Sequence, residues 1–334
     1  MRIRASRAVA PTRIDLAGGT LDIWPICHLV RDAVTVNLAI GLHASAVVRP
    51  RRDRRLVVHS ADRGRSVTLS LPLRRPPAGP LSWLVRLAHA WAPDVPLTLE
   101  ARAEAPAGAG LGGSSALGIA VGAALAQATG ERAPRASLMR RVQNLETEEI
   151  RVPTGNQDYL AALFGGLSAF WHRPEGVKRE ALPHAEALGA RLVLAYTGQP
   201  RQSGFSNWDM FKRFVEGERT TVARMTEIAR LARAMRDALA EGELDEAGRL
   251  LAEEGRLRYR LAPSVATPSL RRVSEAARRA GALGSKVCGA GGGGCLVAFA
   301  PPGRKEAVAA AMAAAGAVLL PVEPARRGVT LSAP

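Results

Sequence analysis

A chain of 334 residues, 47% hydrophobic and with mean hydropathy near zero, has enough apolar material for one large core or two ordinary ones, which excludes a disordered polymer. No apolar run reaches the ~18 residues of a membrane span, and residues 1–20 alternate charged and apolar positions instead of building an apolar leader, so no membrane partner and a cytoplasmic location are expected. Three cysteines (Cys27, Cys288, Cys295) without a CxxC pair exclude a disulfide framework or structural zinc site; the formal charge of +16 is carried by arginine, only four of the 46 basic residues being lysine, and favours acidic ligands without requiring nucleic acid.

Residues 3–16 alternate as a strand and run into the glycine turn Ala17-Gly18-Gly19-Thr20. Residues 33–48 read as a second strand. The basic run 49–55 follows, expected as an exposed hairpin connection to the β-rich stretch 56–71; no aromatic residue interleaves with it to stack bases, so nucleic acid is not the expected partner. Leu84, Leu87, Ala88 and Trp91 share one face of a helix over 81–91, and 95–103 is another strand. A glycine-serine segment at 106–116 opens a helix over 117–128. A second helix is predicted over 137–149 with Ser137 as its N-cap, a break at 153–155 and a short helix from Asp158 to Phe164, then a strand at 167–171. Proline, glycine and charge accumulate at 173–190, which divides the chain into an N-terminal unit, 1–180, and a C-terminal unit, 190–334. The second unit offers a strand at 192–196, amphipathic helices over 220–240 and 244–258, and a glycine loop at 289–294 leading into a strand at 295–299.

Chemistry concentrates at three places. Gly108, Gly110, Gly112 and Gly113 let the backbone approach a ligand closely, and the amides of the helix that follows present positive dipoles to phosphate. Leu111 sits among them, and Ser114 and Ser115 add hydroxyls, one of which could reach a divalent cation; no Gly-Lys-Ser/Thr closes the loop, so it is not a Walker loop. Glu146 and Asp158 flank the 153–155 break and could converge, the first holding Mg²⁺ through a hard oxygen and the second accepting a hydroxyl proton. The alternatives are a solvated acidic face shared with Glu148 and Glu149, and an N-cap at Asp158. Arg13 and Asp22 flank the Gly18-Gly19 turn, where an arginine can neutralise a transferring phosphoryl group and an aspartate suits polyol hydroxyls; a strand-surface arginine and a loop aspartate are the plainer alternatives.

Taken together, residues 11–22 (Pro-Thr-Arg-Ile-Asp-Leu-Ala-Gly-Gly-Thr-Leu-Asp), 106–116 and 286–295 resemble the three ordered motifs of the GHMP small-molecule kinases, a likeness that spans nearly the whole chain. It implies an α+β, two-domain fold: an N-terminal domain like ribosomal protein S5 domain 2 and a ferredoxin-like C-terminal domain, with ATP and Mg²⁺ as cofactors. By that resemblance the loop at Gly108, Gly110, Leu111, Gly112, Gly113, Ser114 and Ser115 wraps the ATP phosphates, and Ser114 and Glu146 bind the metal. Asp158 serves as base or orienter of the attacking hydroxyl, and Arg13 is its cationic partner. The substrate would meet Gly19, Thr20, Asp22, Arg201, Gly291 and Gly292. Residues 17–25, 155–166 and 196–203 are most similar to the heptose-phosphate kinase and fucokinase-like group, which acts on the anomeric hydroxyl of a sugar. Leu21, standing between Thr20 and Asp22, departs from the Gly-Gly-Gly-Thr-Asp of the heptose kinases. The expected partner is a small-molecule sugar or sugar phosphate, and the chain a monomer or homodimer. The alternatives are a mevalonate-pathway kinase and a non-catalytic metabolite- or nucleic-acid-binding relative.

Overall fold

The computed structural model describes residues 3–200, 205–261, 265–289 and 291–333. In chain order its elements are β1 (Ser6–Ala17), α1 (Ile26–Leu29), β2 (Val34–Pro50), β3 (Arg55–Ser60), β4 (Arg65–Ser70), α2 (Ser82–Trp91), β5 (Leu97–Ala103), α3 (Gly113–Thr129), α4 (Arg135–Ile150) and α5 (Gln157–Phe164). They continue with β6 (Leu167–Arg173), β7 (Gly176–Ala181), α6 (Ala185–Arg191), β8 (Leu192–Tyr196), α7 (Phe205–Val215), α8 (Arg219–Glu241), α9 (Leu244–Leu261) and α10 (Pro268–Arg279). The chain closes with β9 (Gly284–Val287), β10 (Cys295–Phe299), α11 (Lys305–Ala314), β11 (Val318–Leu320) and β12 (Thr330–Ser332).

Two sheets organise these elements. The larger has eight strands, in the order β12-β1-β2-β5-β3-β4, with β6 pairing along β2 and β7 along β6. Its spine is the 17-residue β2, which pairs with β1 along most of its length, with β5 over Ala44–Pro50 and with β6 over Val34–Leu38. The smaller sheet is antiparallel in the order β11-β8-β10-β9. Numbered within that half of the chain the order is fourth, first, third, second, with helices between first and second and between third and fourth: the ferredoxin-like arrangement expected from the resemblance.

One apolar core lies between the larger sheet and α2 to α5, drawing on Val48, Leu97, Leu87, Ile119 and Val142. A second joins the two sheets, with Ile14, Leu16 and Leu38 packing against Leu231, Leu250, Val297 and Phe299. Helix α3 is buried almost all round, and its glycines set its distances: a Cβ on Gly118 would lie 2.5 Å from Val142, and one on Gly122 would lie 2.9 Å from Leu138. That stripe lets α4 close onto α3 and brings the last turns of α4 beside the first turn of α3.

Four expectations are corrected. The basic run 49–55 does not close a hairpin, because β5 lies between β2 and β3; β3 is parallel to β5, and the chain crosses over through β4 and α2 to reach it. Arg49 and Arg51 are paired there with Glu100 and Asp53. The helix foreseen over 117–128 begins at Gly113, inside the glycine segment, because Gly112 takes the left-handed conformation (φ 72°) and turns the chain into it. Helix α4 starts earlier than foreseen, behind Pro134, so Ser137 is not its cap. Finally, the end of the unit placed at 190–334 returns to the larger sheet: Pro324 bridges Ile40, Ala325 exchanges backbone bonds with Ala39 and Gly166, and β12 pairs with β1. The β12 pairing covers the edge of β1, and the bonds of Pro324 and Ala325 fill the stretch of β2 between its partners β6 and β5, where backbone groups would otherwise stand unpaired.

Candidate active site

A cavity of about 330 Å³ opens where the first turn of α3, the ends of β1 and α4, and the start of α5 converge. One wall is the glycine loop. Gly108, Gly110 and Gly112 all have positive φ (71°, 78° and 72°), a conformation that side chains resist. No side chain caps α3, and its first turn holds no acidic residue, so the amides of Gly113, Ser114 and Ser115 stand open to an anion.

Across the loop lies the charged pair. Arg13, 3% exposed, reaches from β1 and donates from Nε (2.8 Å) and Nη2 (2.5 Å) to Asp158 Oδ1, and from Nη1 to the Gly110 carbonyl at 2.7 Å. Both bonds to the carboxylate fall on one oxygen, so Oδ2 receives no donor from the described residues; the Asp158 side chain keeps 24% of its surface exposed. Burial works against the Arg13 charge, and the Asp158 and Asp15 carboxylates overcome it and hold its pKa raised. A Cβ on Gly112 would lie 3.1 Å from the Asp158 carboxyl carbon, so the loop and the carboxylate touch with nothing between them.

Asp158 stands in the first turn of α5, with Asn156 at the cap position. The loop before it is pinned by Gln143 of α4, whose amide donates to the Thr154 carbonyl and to Asn156 Oδ1. The backbone N–H of Gln157 donates to Asp22 Oδ2 at 2.9 Å, bringing the glycine-turn aspartate beside the helix. Gly155 is required there, since a Cβ would fall 2.0 Å from that same oxygen. Burial, helped by the neighbouring Asp158 charge, pushes Asp22 up to about 6, and the Gln157 N–H offsets only part of that.

Glu146, 5% exposed, is the third acid at the cavity. Its Oε2 accepts from Tyr159 Oη (2.6 Å) and Ser115 Oγ (3.1 Å). Burial raises its pKa against the pull of the hydroxyls around it. Ser115 is thus the serine bonded to Glu146, while Ser114 is exposed on the cavity wall. The donors are hard oxygens, which suits Mg²⁺. No group of three or more His, Cys, Asp or Glu side chains able to hold a metal occurs among the described residues, so a cation here would draw its remaining ligands from phosphate and water.

Beside the Gly19–Asp22 side of the cavity lies a buried ion cluster that sequence reasoning missed. Lys286 Nζ lies 2.8 Å from Asp15 Oδ1 and 3.2 Å from Glu254 Oε1, and Arg258 Nε donates to Glu254 at 2.7 Å. The cluster grips the glycine turn: the Gly18 N–H donates to Glu254, and Arg258 donates to the Gly19 carbonyl. The available signal was Lys286 itself, a lysine retained in a chain that otherwise uses arginine. Also missed were Tyr159, Gln157 and the stacked pair Trp208–Phe211 (5.3 Å, 10°), whose rings come from α7 and line the cavity.

The cavity wall thus gathers Arg13, Gly19, Thr20, Asp22, the whole 108–115 loop, Glu146 and Asp158. Gly291 and Gly292 are not on it. A Cβ on Gly291 would strike Val265 at 2.2 Å, and Gly292 donates to the Val265 carbonyl, so these glycines serve close packing in the second half of the chain. Their neighbours brace the phosphate loop from behind: a Cβ on Gly110 would lie 2.3 Å from the Cys288 carbonyl oxygen, and Cys295 N–H donates to the Ala109 carbonyl at 2.8 Å. Arg201, and Ser203 beside it, lie outside the described residues.

An uncapped helix opening from a glycine loop, set against an Arg–Asp pair at one cavity, is an arrangement suited to phosphoryl transfer to a small molecule. Residues 82–166 match the GHMP kinases N terminal domain and residues 235–318 the GHMP kinases C terminal model. The chain is 25% identical over 316 residues to the D-glycero-alpha-D-manno-heptose 7-phosphate kinase of Campylobacter jejuni, covering 91% of each protein. It is 31% identical over 251 residues to the mevalonate kinase of Thermococcus gammatolerans, covering 70% of this chain and 69% of that one. Its fold matches Lactococcus lactis galactokinase complexed with galactose at a TM-score of 0.79, over 98% of this chain and 95% of that chain at 20% identity. The chain belongs to the GHMP kinase family.

Proposed function

We propose that the protein is an ATP-dependent sugar kinase that moves the γ-phosphoryl group to a sugar hydroxyl, the anomeric hydroxyl of a heptose phosphate or related sugar. The observation that carries this reading is the pairing of Arg13 with a single oxygen of Asp158 at the mouth of the glycine loop. Residues 1–180 supply the nucleotide loop and the pair, and residues 190–334 brace that loop and supply the aromatic wall.

In this mechanism the amides of 113–115 and the loop backbone hold the ATP phosphates at the N-terminus of α3. The sugar enters from the side of Gly19, Thr20 and Asp22, whose carboxylate takes a hydroxyl and fixes the ring. Asp158 Oδ2 accepts the proton of the attacking hydroxyl as its oxygen bonds to the γ-phosphorus and the bond to the ADP oxygen breaks. Arg13 orients Asp158 through Oδ1 and adds positive charge beside the transferring group. Glu146 with Ser115 or Ser114 would hold Mg²⁺, which supplies charge neutralisation to the polyphosphate. A cytoplasmic site of action fits three free cysteines that are all buried, and no helix among the described residues is long and apolar enough to cross a membrane.

The test is ADP release from Mg·ATP with a panel of free sugars, sugar phosphates, mevalonate and homoserine. Turnover of a sugar or sugar phosphate is expected, and phosphorus NMR of the product identifies the oxygen that attacked. Turnover of mevalonate alone would move the chain to the isoprenoid branch. Silence across the panel with ATP still bound would leave a metabolite-binding relative.

A further inference from the structure

Gln157 stands between the two carboxylates that face the acceptor and takes no part in the mechanism above. Its backbone is fixed by the bond to Asp22, and its side chain lines the cavity while only 7% exposed. Its Oε1 is buried without a hydrogen-bond partner among the described residues. An amide in that state forgoes bonds it would make in water. At a cavity wall such a group is open to completion by whatever fills the cavity.

The chemistry narrows what that something is. A carboxamide both donates and accepts, as a hydroxyl does, and rotation about its last torsion brings either atom to the cavity. With Asp22 on one side and Asp158 on the other, a neutral amide adds no third negative charge. A methyl group or methylene placed there would leave the amide unpaired, whereas a polyol would satisfy it.

The geometry points to Gln157 as the specificity-determining residue of the acceptor site, its carboxamide reading a hydroxyl on the carbon next to the attacking oxygen of a polyhydroxylated substrate. This deepens the sugar-kinase reading and rests on it.

The experiment uses the full chain and whichever of L-fucose, D-galactose, D-mannose and D-glycero-D-manno-heptose 7-phosphate the wild type phosphorylates fastest, with its monodeoxy analogues. For the wild type one analogue should lose about 10–100-fold in kcat/KM. In Gln157→Leu the parent sugar should fall by about the same factor and that analogue should not, so their difference collapses to within about two-fold, with the KM for ATP unchanged. A role confined to holding Asp22 would lower the parent and all analogues alike, and that result, or no change at all, overturns the inference while leaving the kinase reading intact. A wild type that phosphorylates none of the four overturns both. If Gln157→Leu does not fold, Gln157→Asn, which keeps the amide but withdraws it by one methylene, is read by the same comparison.

Discussion

Two ion clusters grow from one strand, and they differ in what they leave open. Arg13 and Asp15 are two residues apart on β1. Arg13 meets a partly exposed carboxylate and engages one of its oxygens, leaving the other to the cavity. Asp15 enters a cluster with Lys286, Glu254 and Arg258 in which no side chain exceeds 7% exposure and two acids face two bases. Burial would raise Asp15, and the cations of Lys286, Arg258 and Arg13 overcome it and hold it low. The first arrangement leaves one carboxylate oxygen without a donor at the cavity. The second is buried and balanced in charge, and its output is mechanical: Glu254 and Arg258 hold the Gly18–Thr20 turn through the Gly18 N–H and the Gly19 carbonyl.

The largest expected effect lies in the closed cluster. Lys286→Met leaves two buried carboxylates with one cation, so the protein should lose about 3–5 kcal/mol of stability in a denaturant titration. Adding Asp15→Asn should recover part of that loss, because the two sites share one interaction. Strict additivity of the two substitutions would show that the cluster is not a unit.

In the open region a smaller change is expected at the metal side. Glu146→Gln keeps the bonds from Tyr159 and Ser115 but removes the charge, and should raise the Mg²⁺ concentration for half-maximal activity by about ten-fold. An unaltered Mg²⁺ titration would remove Glu146 from the cation's shell.

A further change tests whether Asp22 belongs with the open region. Between the ordinary carboxylate value and about 6 the folded chain holds a proton that the unfolded chain has released. The stability contributed by protonated Asp22 is therefore lost as pH rises through that window. Asp22→Asn cannot ionise and keeps an oxygen for the Gln157 amide. It should be more stable than the wild type by about 3 kcal/mol at pH 8 and by less than about 1 kcal/mol at pH 4, while its KM for the sugar rises. Melting curves that differ equally at both pH values would show that Asp22 carries no such strain.

What could be read in advance follows from how local each feature is. The glycine loop and the helix it opens are contiguous, so the backbone chemistry of residues 108–115 is visible as a string. Arg13, Glu146 and Asp158 were legible as residue types flanking turns, although only the fold brings Arg13 onto one oxygen of Asp158. Glu254 and Arg258 are spaced i,i+4 on an amphipathic helix, the pattern of a surface pair, and are buried because α9 packs beneath the glycine turn. Gln157 gave no signal because an amide beside a carboxylate is ordinary loop composition until its partners are counted. Gly291 and Gly292 stand off the cavity wall and pack on Val265, and a run of glycines reads the same whether a ligand or a neighbouring chain segment approaches it. The return of β12 to β1 involves three-residue strands, too short for any alternation to appear.

The central claim is that Asp158, held through one oxygen by Arg13, works on the acceptor hydroxyl and not on the nucleotide. Asp158→Asn keeps an oxygen for Arg13 and removes the proton acceptor. Its ATP dissociation constant and its single-turnover rate with the accepted sugar should be measured side by side with the wild type. The account predicts a rate lower by about 10²–10⁴ and an ATP affinity within about two-fold of the wild type. An unchanged rate, or a rate and an ATP affinity that fall together, would contradict it.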